Sequence, residues 1–231
     1  MRWTFVAVTI VAGLLTACVS QVPRVPPSEG RPPAFPEQFY LQDAARGQPV
    51  FKVEPAQSLV VIEVYRAGSL AKLGHDHVVA SHDIGGYIAA DDNRADLYVR
   101  LDTLAVDEPD LRAQAGFETH PSAAAIAGTR ENMLTALHAE QHPYALISAK
   151  KLDGDATNPQ VNVAFTVNDI TREMRIPVRV EKAADQLNVT GRVALEQTDF
   201  GITPLSILGG GLQVQDRVEI RFAIRASRVL P

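Results

Sequence analysis

The sequence predicts an all-β domain, a barrel or a sandwich, with short helices inserted mid-chain. Three observations predict it. At least eight segments alternate apolar and polar residues with period two, the pattern of antiparallel strands with one face on an apolar interior and one in water. Loop-forming residues such as Asp91-Asp92-Asn93, Asp153-Gly154-Asp155 and Asn168-Asp169 separate the segments. Helical patterning is confined to one excursion, so there is no strand–helix–strand rhythm to make a parallel sheet.

The chain begins with a different signal. Met1-Arg2 is a short basic start, and TFVAVTIVAGLL after it has the length of a signal-peptide apolar core. It ends in Leu15-Thr16-Ala17-Cys18, which resembles the lipobox of bacterial lipoproteins. The resemblance implies a signal over residues 1–17 and diacylation of Cys18, the only cysteine in the chain. Two acyl chains on one residue give stable anchoring. Val19 in place of aspartate leans the destination toward the outer membrane, on the periplasmic side of the envelope.

Residues 18–48 then read as the lipidated cysteine and a proline-rich tether. VPRVPPSEGRPPAFPEQF holds six prolines and little apolar periodicity, a composition that favours extended backbone. The alternative is an arm that wraps the domain, held by Phe35, Phe39 and Tyr40. The domain itself is expected over residues 49–231.

Early strands are predicted at 59–66, 77–90 and 95–101. Between Pro109 and about His142 the pattern turns helical in three pieces. PDLRAQAG and PSAAAIAG each open with proline and close with glycine, and Thr129 can cap RENMLTALHAEQ. Strands resume at 144–152. VNVAFTV sets Val161, Val163, Phe165 and Val167 on one face. EMRIPVRVE does the same with Met174, Ile176, Val178 and Val180, and its Pro177 marks an edge or a bulge. LNVTGRVALE and RVEIRFAIRA complete the set, the last with Val218, Ile220, Phe222 and Ile224 on its apolar face. Phe165, Ile176 and Phe222 are therefore candidate ligand-contacting residues on the interior faces. Periodicity alone does not separate a hollow interior from a solid one.

Several segments together resemble the YceI-like family of periplasmic, lipocalin-like polyisoprenoid-binding proteins, from about Ser58 to Ser227. They are SLVVIEVYRAGSLAKLGHDHVV, TRENMLTALHAEQHPYALISAKKL, VNVAFTVNDITREMRIPVRV and the closing EQTDFGITPLSILGGGLQVQDRVEIRFAIRA. The resemblance implies an eight-stranded antiparallel lipocalin-like barrel around an elongated apolar cavity. It also implies a non-covalent partner, an isoprenoid or quinone-type lipid, with no cofactor. The sequence departs from many family members at Gly74-His75-Asp76-His77.

His75 and His77 lie one residue apart, so on a strand both would face the same way. Three readings stand side by side: one imidazole addresses a ligand head group at the barrel mouth, both join a metal site, or both hold a turn with Asp76 or Asp83. No second histidine spacing completes a metal signature, so no metal site is assigned. Enzyme signatures are absent: the sequence has no G-x-S-x-G elbow, no H-E-x-x-H and no phosphate-binding loop, and no catalytic residue is assigned. Arg130 and Arg172 read as solvated surface. A net charge of −5 with interspersed signs offers no basic stripe for nucleic acid. A solid barrel that meets a protein partner through its outer face is the remaining alternative, and the sequence names no such partner.

Overall fold

The structure is a computed structural model that describes residues 30–230. The signal and Cys18 lie outside these residues. The first described element is α1 (Glu37–Ala45), where the tether reading expects extended chain. Tyr40 on this helix is fully buried, stacked on Tyr87, and its hydroxyl donates to Asp96 Oδ2 at 2.7 Å. Arg94 binds the same carboxylate oxygen at 2.7 Å and lies over the Phe39 ring at 4.7 Å. Burial of Tyr40 against Tyr87, with Phe35 and Phe39 partly buried beside them, outweighs the extended bias of the prolines, so the folded unit starts ahead of residue 49.

The strands follow in order. They are β1 (Val50–Val53), β2 (Leu59–Ala67), β3 (His77–Ser81), β4 (Ile84–Ala89), β5 (Arg94–Arg100) and β6 (Ala105–Val106). Two helices intervene, α2 (Pro109–Gln114) and α3 (Ala123–Ala136). Then come β7 (Tyr144–Asp153), β8 (Gln160–Val167), β9 (Ile170–Lys182), β10 (Gln186–Glu196), β11 (Ser206–Ile207) and β12 (Leu212–Arg228).

Pairing runs β1-β4-β5-β7-β8-β9-β10-β12, and β12 returns to β1, which closes an eight-stranded antiparallel barrel. The long β12 carries the closure. One edge pairs with the whole of β10 over Arg217–Ser227, and the other pairs with β2 and then with β1. β1 and β2 are thus one wall strand broken at Pro55. β3 and β4, predicted as one strand over 77–90, break at His82-Asp83 in the same way. Interior faces alternate as the periodicity requires: Val60, Ile62 and Val64 of β2 line the inside, while Glu63 and Tyr65 bond each other outside.

Two expectations are corrected by local chemistry. The two glycine-bounded pieces expected over 121–141 form the single helix α3, which runs through Gly128. Ser122 is its cap, accepting the Ala125 N–H at 3.2 Å, and open space surrounds the glycine. Arg130 is not a solvated surface group. It donates to the carbonyls of Leu104 and Asp102 at 3.1 and 2.5 Å, tying α3 to the chain before β6.

Pro177 stands where one seam of the barrel loosens. β9 pairs with β10 only from Val178 to Lys182; toward Ile170 its edge is unpaired, and the 3-10 turn Gln197–Phe200 lies against it. Proline supplies no N–H to a ladder, so the edge signature is local to half a strand.

Candidate functional site

The barrel is hollow. A cavity of about 850 Å³ runs along its interior, within the range of small-molecule sites. Small inward residues leave the space: Ala95 on β5, and Ala145 and Ala149 on β7. Phe222, directly opposite Gly191, lays its ring over that glycine, where a Cβ would come within 2.4 Å of it. Phe165, Ile176 and Phe222 all line the cavity, together with Val and Leu side chains of nearly every wall strand. The interior suits a flexible aliphatic chain, because aliphatic side chains dominate its lining and the Ser81 hydroxyl, partway along the β3–β4 wall, accepts the Asp83 N–H.

Polar groups gather at the ends. Lys151 and Lys182 sit near the far ends of β7 and β9. At the other end, under α3, His77 lines the cavity as the first residue of β3. His75 does not. The backbone before β3 is a loop, so strand alternation does not reach back to it, and its Nδ1 is buried without a hydrogen-bond partner. The two rings stand edge to face, 6.3 Å between centroids. Asp76 turns away to accept the Arg66 N–H at 2.9 Å.

His77 is held from behind. Its Nδ1 is 2.6 Å from Asp107 Oδ2, and the Asp107 side chain is fully buried. Asp107 Oδ1 accepts the Val78 N–H at 3.0 Å and Arg112 at 2.5 Å. Arg112, buried at the C-terminal end of α2, also donates to the carbonyls of Asp76 and Thr119 at 2.7 and 2.6 Å. Burial works to raise the Asp107 pKa, but the bonds from His77, Val78 and Arg112 outweigh it and hold the carboxyl below the usual range. An ionised carboxylate only accepts, so Nδ1 of His77 carries a proton. Nε2 is left as the ring atom free to meet a ligand.

Sequence reasoning placed His77 at the mouth but missed Asp107 and Arg112, which are 30 and 35 positions away in the chain. Asp76 and Asp83, weighed as partners, do not bond either ring. Asp107 takes a left-handed backbone (φ 57°) between β6 and α2, and no local pattern announces it. Among the described residues no three His, Asp or Glu side chains converge as a metal site. Asp107 also occupies the Nδ1 side of His77, leaving one nitrogen on that ring.

A closed antiparallel barrel with an aliphatic interior and one braced imidazole at its mouth defines a lipocalin-like cavity protein. The chain belongs to the YceI-like domain family, whose model matches residues 51–226. Among solved structures it is similar to a polyisoprenoid binding domain from Saccharophagus degradans implicated in plant cell wall breakdown. That likeness has a TM-score of 0.54 at 11% identity and covers 78% of this chain and 98% of that one. BcnA of Burkholderia cenocepacia gives 0.46 at 11% identity, over 75% of this chain and 98% of that one. A mutant CJ YCEI protein gives 0.44 at 13%, over 63% and 81%. At these identities the first likeness is one of fold. No curated protein sequence matches the chain.

Proposed function

We propose that this protein binds one amphiphilic isoprenoid or quinone-type lipid, its tail in the barrel and its head group at His77. The observation that carries the reading is the cavity of about 850 Å³ lined by aliphatic side chains, with the braced His77 at one end. The polyisoprenoid-binding description of the Saccharophagus degradans domain, which shares the fold, points the same way. Each 100 Å² of tail surface removed from water contributes roughly 2.5 kcal/mol, so the tail supplies most of the affinity. His77 adds orientation through a single polar contact. The role is carriage or sequestration, without a catalysed reaction. Lipidation at Cys18 anchors the protein to the envelope, on the periplasmic side of the outer membrane.

The test is native mass spectrometry on protein purified from membranes of its own host, with solvent extraction of the same sample. One extractable lipid per chain supports the reading. A bare protein that also fails to take up a long-chain quinone or polyprenol refutes it.

A further inference from the structure

The end of the barrel beyond His77 carries a feature that lipid binding alone does not require. Five of the eight large apolar side chains exposed among the described residues belong to two adjacent loops there: Leu70, Leu73, Leu205, Ile207 and Leu208. Leu73 and Leu208 are 71% and 65% exposed, so neither contributes to a core. The loops are joined backbone to backbone. The Leu70 N–H donates to the Gly211 carbonyl at 2.7 Å, and Gly68 packs so closely on Gly210 and Gly211 that a Cβ would not fit. Leu208, Gly209 and Gly210 all take left-handed backbone, which turns the leucine outward at the tip.

Charge is nearly absent from this tip. Residues 67–74 hold one charged side chain, Lys72, and residues 203–214 hold none. Elsewhere the chain is well supplied with charge, 49 Asp, Glu, Lys and Arg residues in all (22 + 27). The tip is also continuous with the cavity, because Thr203, Leu205 and Val214 line it.

We propose that this tip inserts into the interfacial layer of a lipid bilayer, so that the mouth of the barrel opens onto the membrane. Protruding leucines, one cation that can stay with the head groups, and no carboxylate match the chemistry of that layer. A protein partner would have to offer an equally bare apolar socket. A bilayer offers one at every point, and it is the source of the cargo. The orientation follows: His77 comes to lie just inside the mouth, near the head-group level, while α1 faces away at the opposite end. The loading role of the tip rests on the lipid-binding reading; the docking itself does not.

The test uses the full anchored chain in phosphatidylcholine vesicles, with and without bromine on the acyl chains. Trp3, the sole native tryptophan, lies in the signal over residues 1–17 and is absent from the anchored chain, so Leu208→Trp or Leu41→Trp supplies the one indole, at the tip or on α1. Brominated lipid is expected to quench the tip indole several-fold more than the α1 indole. Adding Leu73→Ser and Leu205→Ser is expected to abolish the difference. Equal quenching at both positions, or a tip indole shielded from water but not quenched, overturns docking. Lipid extraction from the same samples separates the two readings. A loaded barrel without quenching refutes docking alone, and quenching with an empty barrel refutes the carrier role alone.

Discussion

His77 Nδ1 lies 2.6 Å from the buried carboxylate of Asp107. This contact joins the first residue of β3 to the turn before α2 and fixes which ring nitrogen the cavity receives. The imidazole is thereby preorganised, with its tautomer chosen by the protein rather than by the ligand.

Replacing His77 by phenylalanine keeps the ring volume and removes the polar contact. Affinity for a quinone-type ligand is expected to fall about 10-fold, the loss of one hydrogen bond of roughly 1.5 kcal/mol. Affinity for a hydrocarbon tail without a head group should be unchanged. Titration of the two ligands against both proteins checks this.

Asp107→Ala leaves the Arg112 guanidinium buried without its carboxylate. Unfolding free energy is expected to drop by about 3–5 kcal/mol in urea titrations. Asp107→Asn should cost less, because the amide can still accept from Val78 or Arg112.

The same carboxyl makes stability depend on acid. Its folded pKa is depressed, so folding favours the ionised form. The contribution is complete above the unfolded value, near pH ~4, and is lost as pH falls through the lower folded value. Thermal midpoints measured across the acid range should therefore fall more steeply for the native chain than for Asp107→Asn.

Tyr40→Ala should release α1 from the barrel. It removes a fully buried ring stacked on Tyr87 and the donor to Asp96, a loss of about 3–5 kcal/mol by comparison with other large aromatic truncations. Limited proteolysis should then cut between residues 30 and 49 while the barrel survives. Tyr40→Phe should show an intermediate effect, since Arg94 still serves Asp96.

The strands were legible because alternation is written locally. Phe165, Ile176 and Phe222 announce an interior face by their spacing, and all three line the cavity. What alternation does not express is volume: the hollow depends on how far Ala145 and Ala149 fall short of the barrel axis, a property of all eight walls at once. His77 was legible as a residue with a choice of roles, while the groups that hold its ring, Asp107 and through it Arg112, come from a distant turn. His75 was misleading for a local reason, since the strand starts two residues later than the motif suggests. The helix over residues 37–45 was hidden by proline composition, because its stability comes from Tyr40 packing against Tyr87 and not from its own sequence.

The central claim is that a lipid tail occupies the barrel interior, and Ala149→Phe tests it most directly. Ala149 lines the cavity, and a phenyl ring there fills space without touching the mouth. Binding of a long-chain quinone should be measured for this variant and the native chain, with thermal midpoints recorded on both. One equivalent bound by the native chain and a loss of at least 10-fold in the variant, at a similar midpoint, is the predicted result. Equal binding by the two proteins would contradict it and place the ligand outside the barrel.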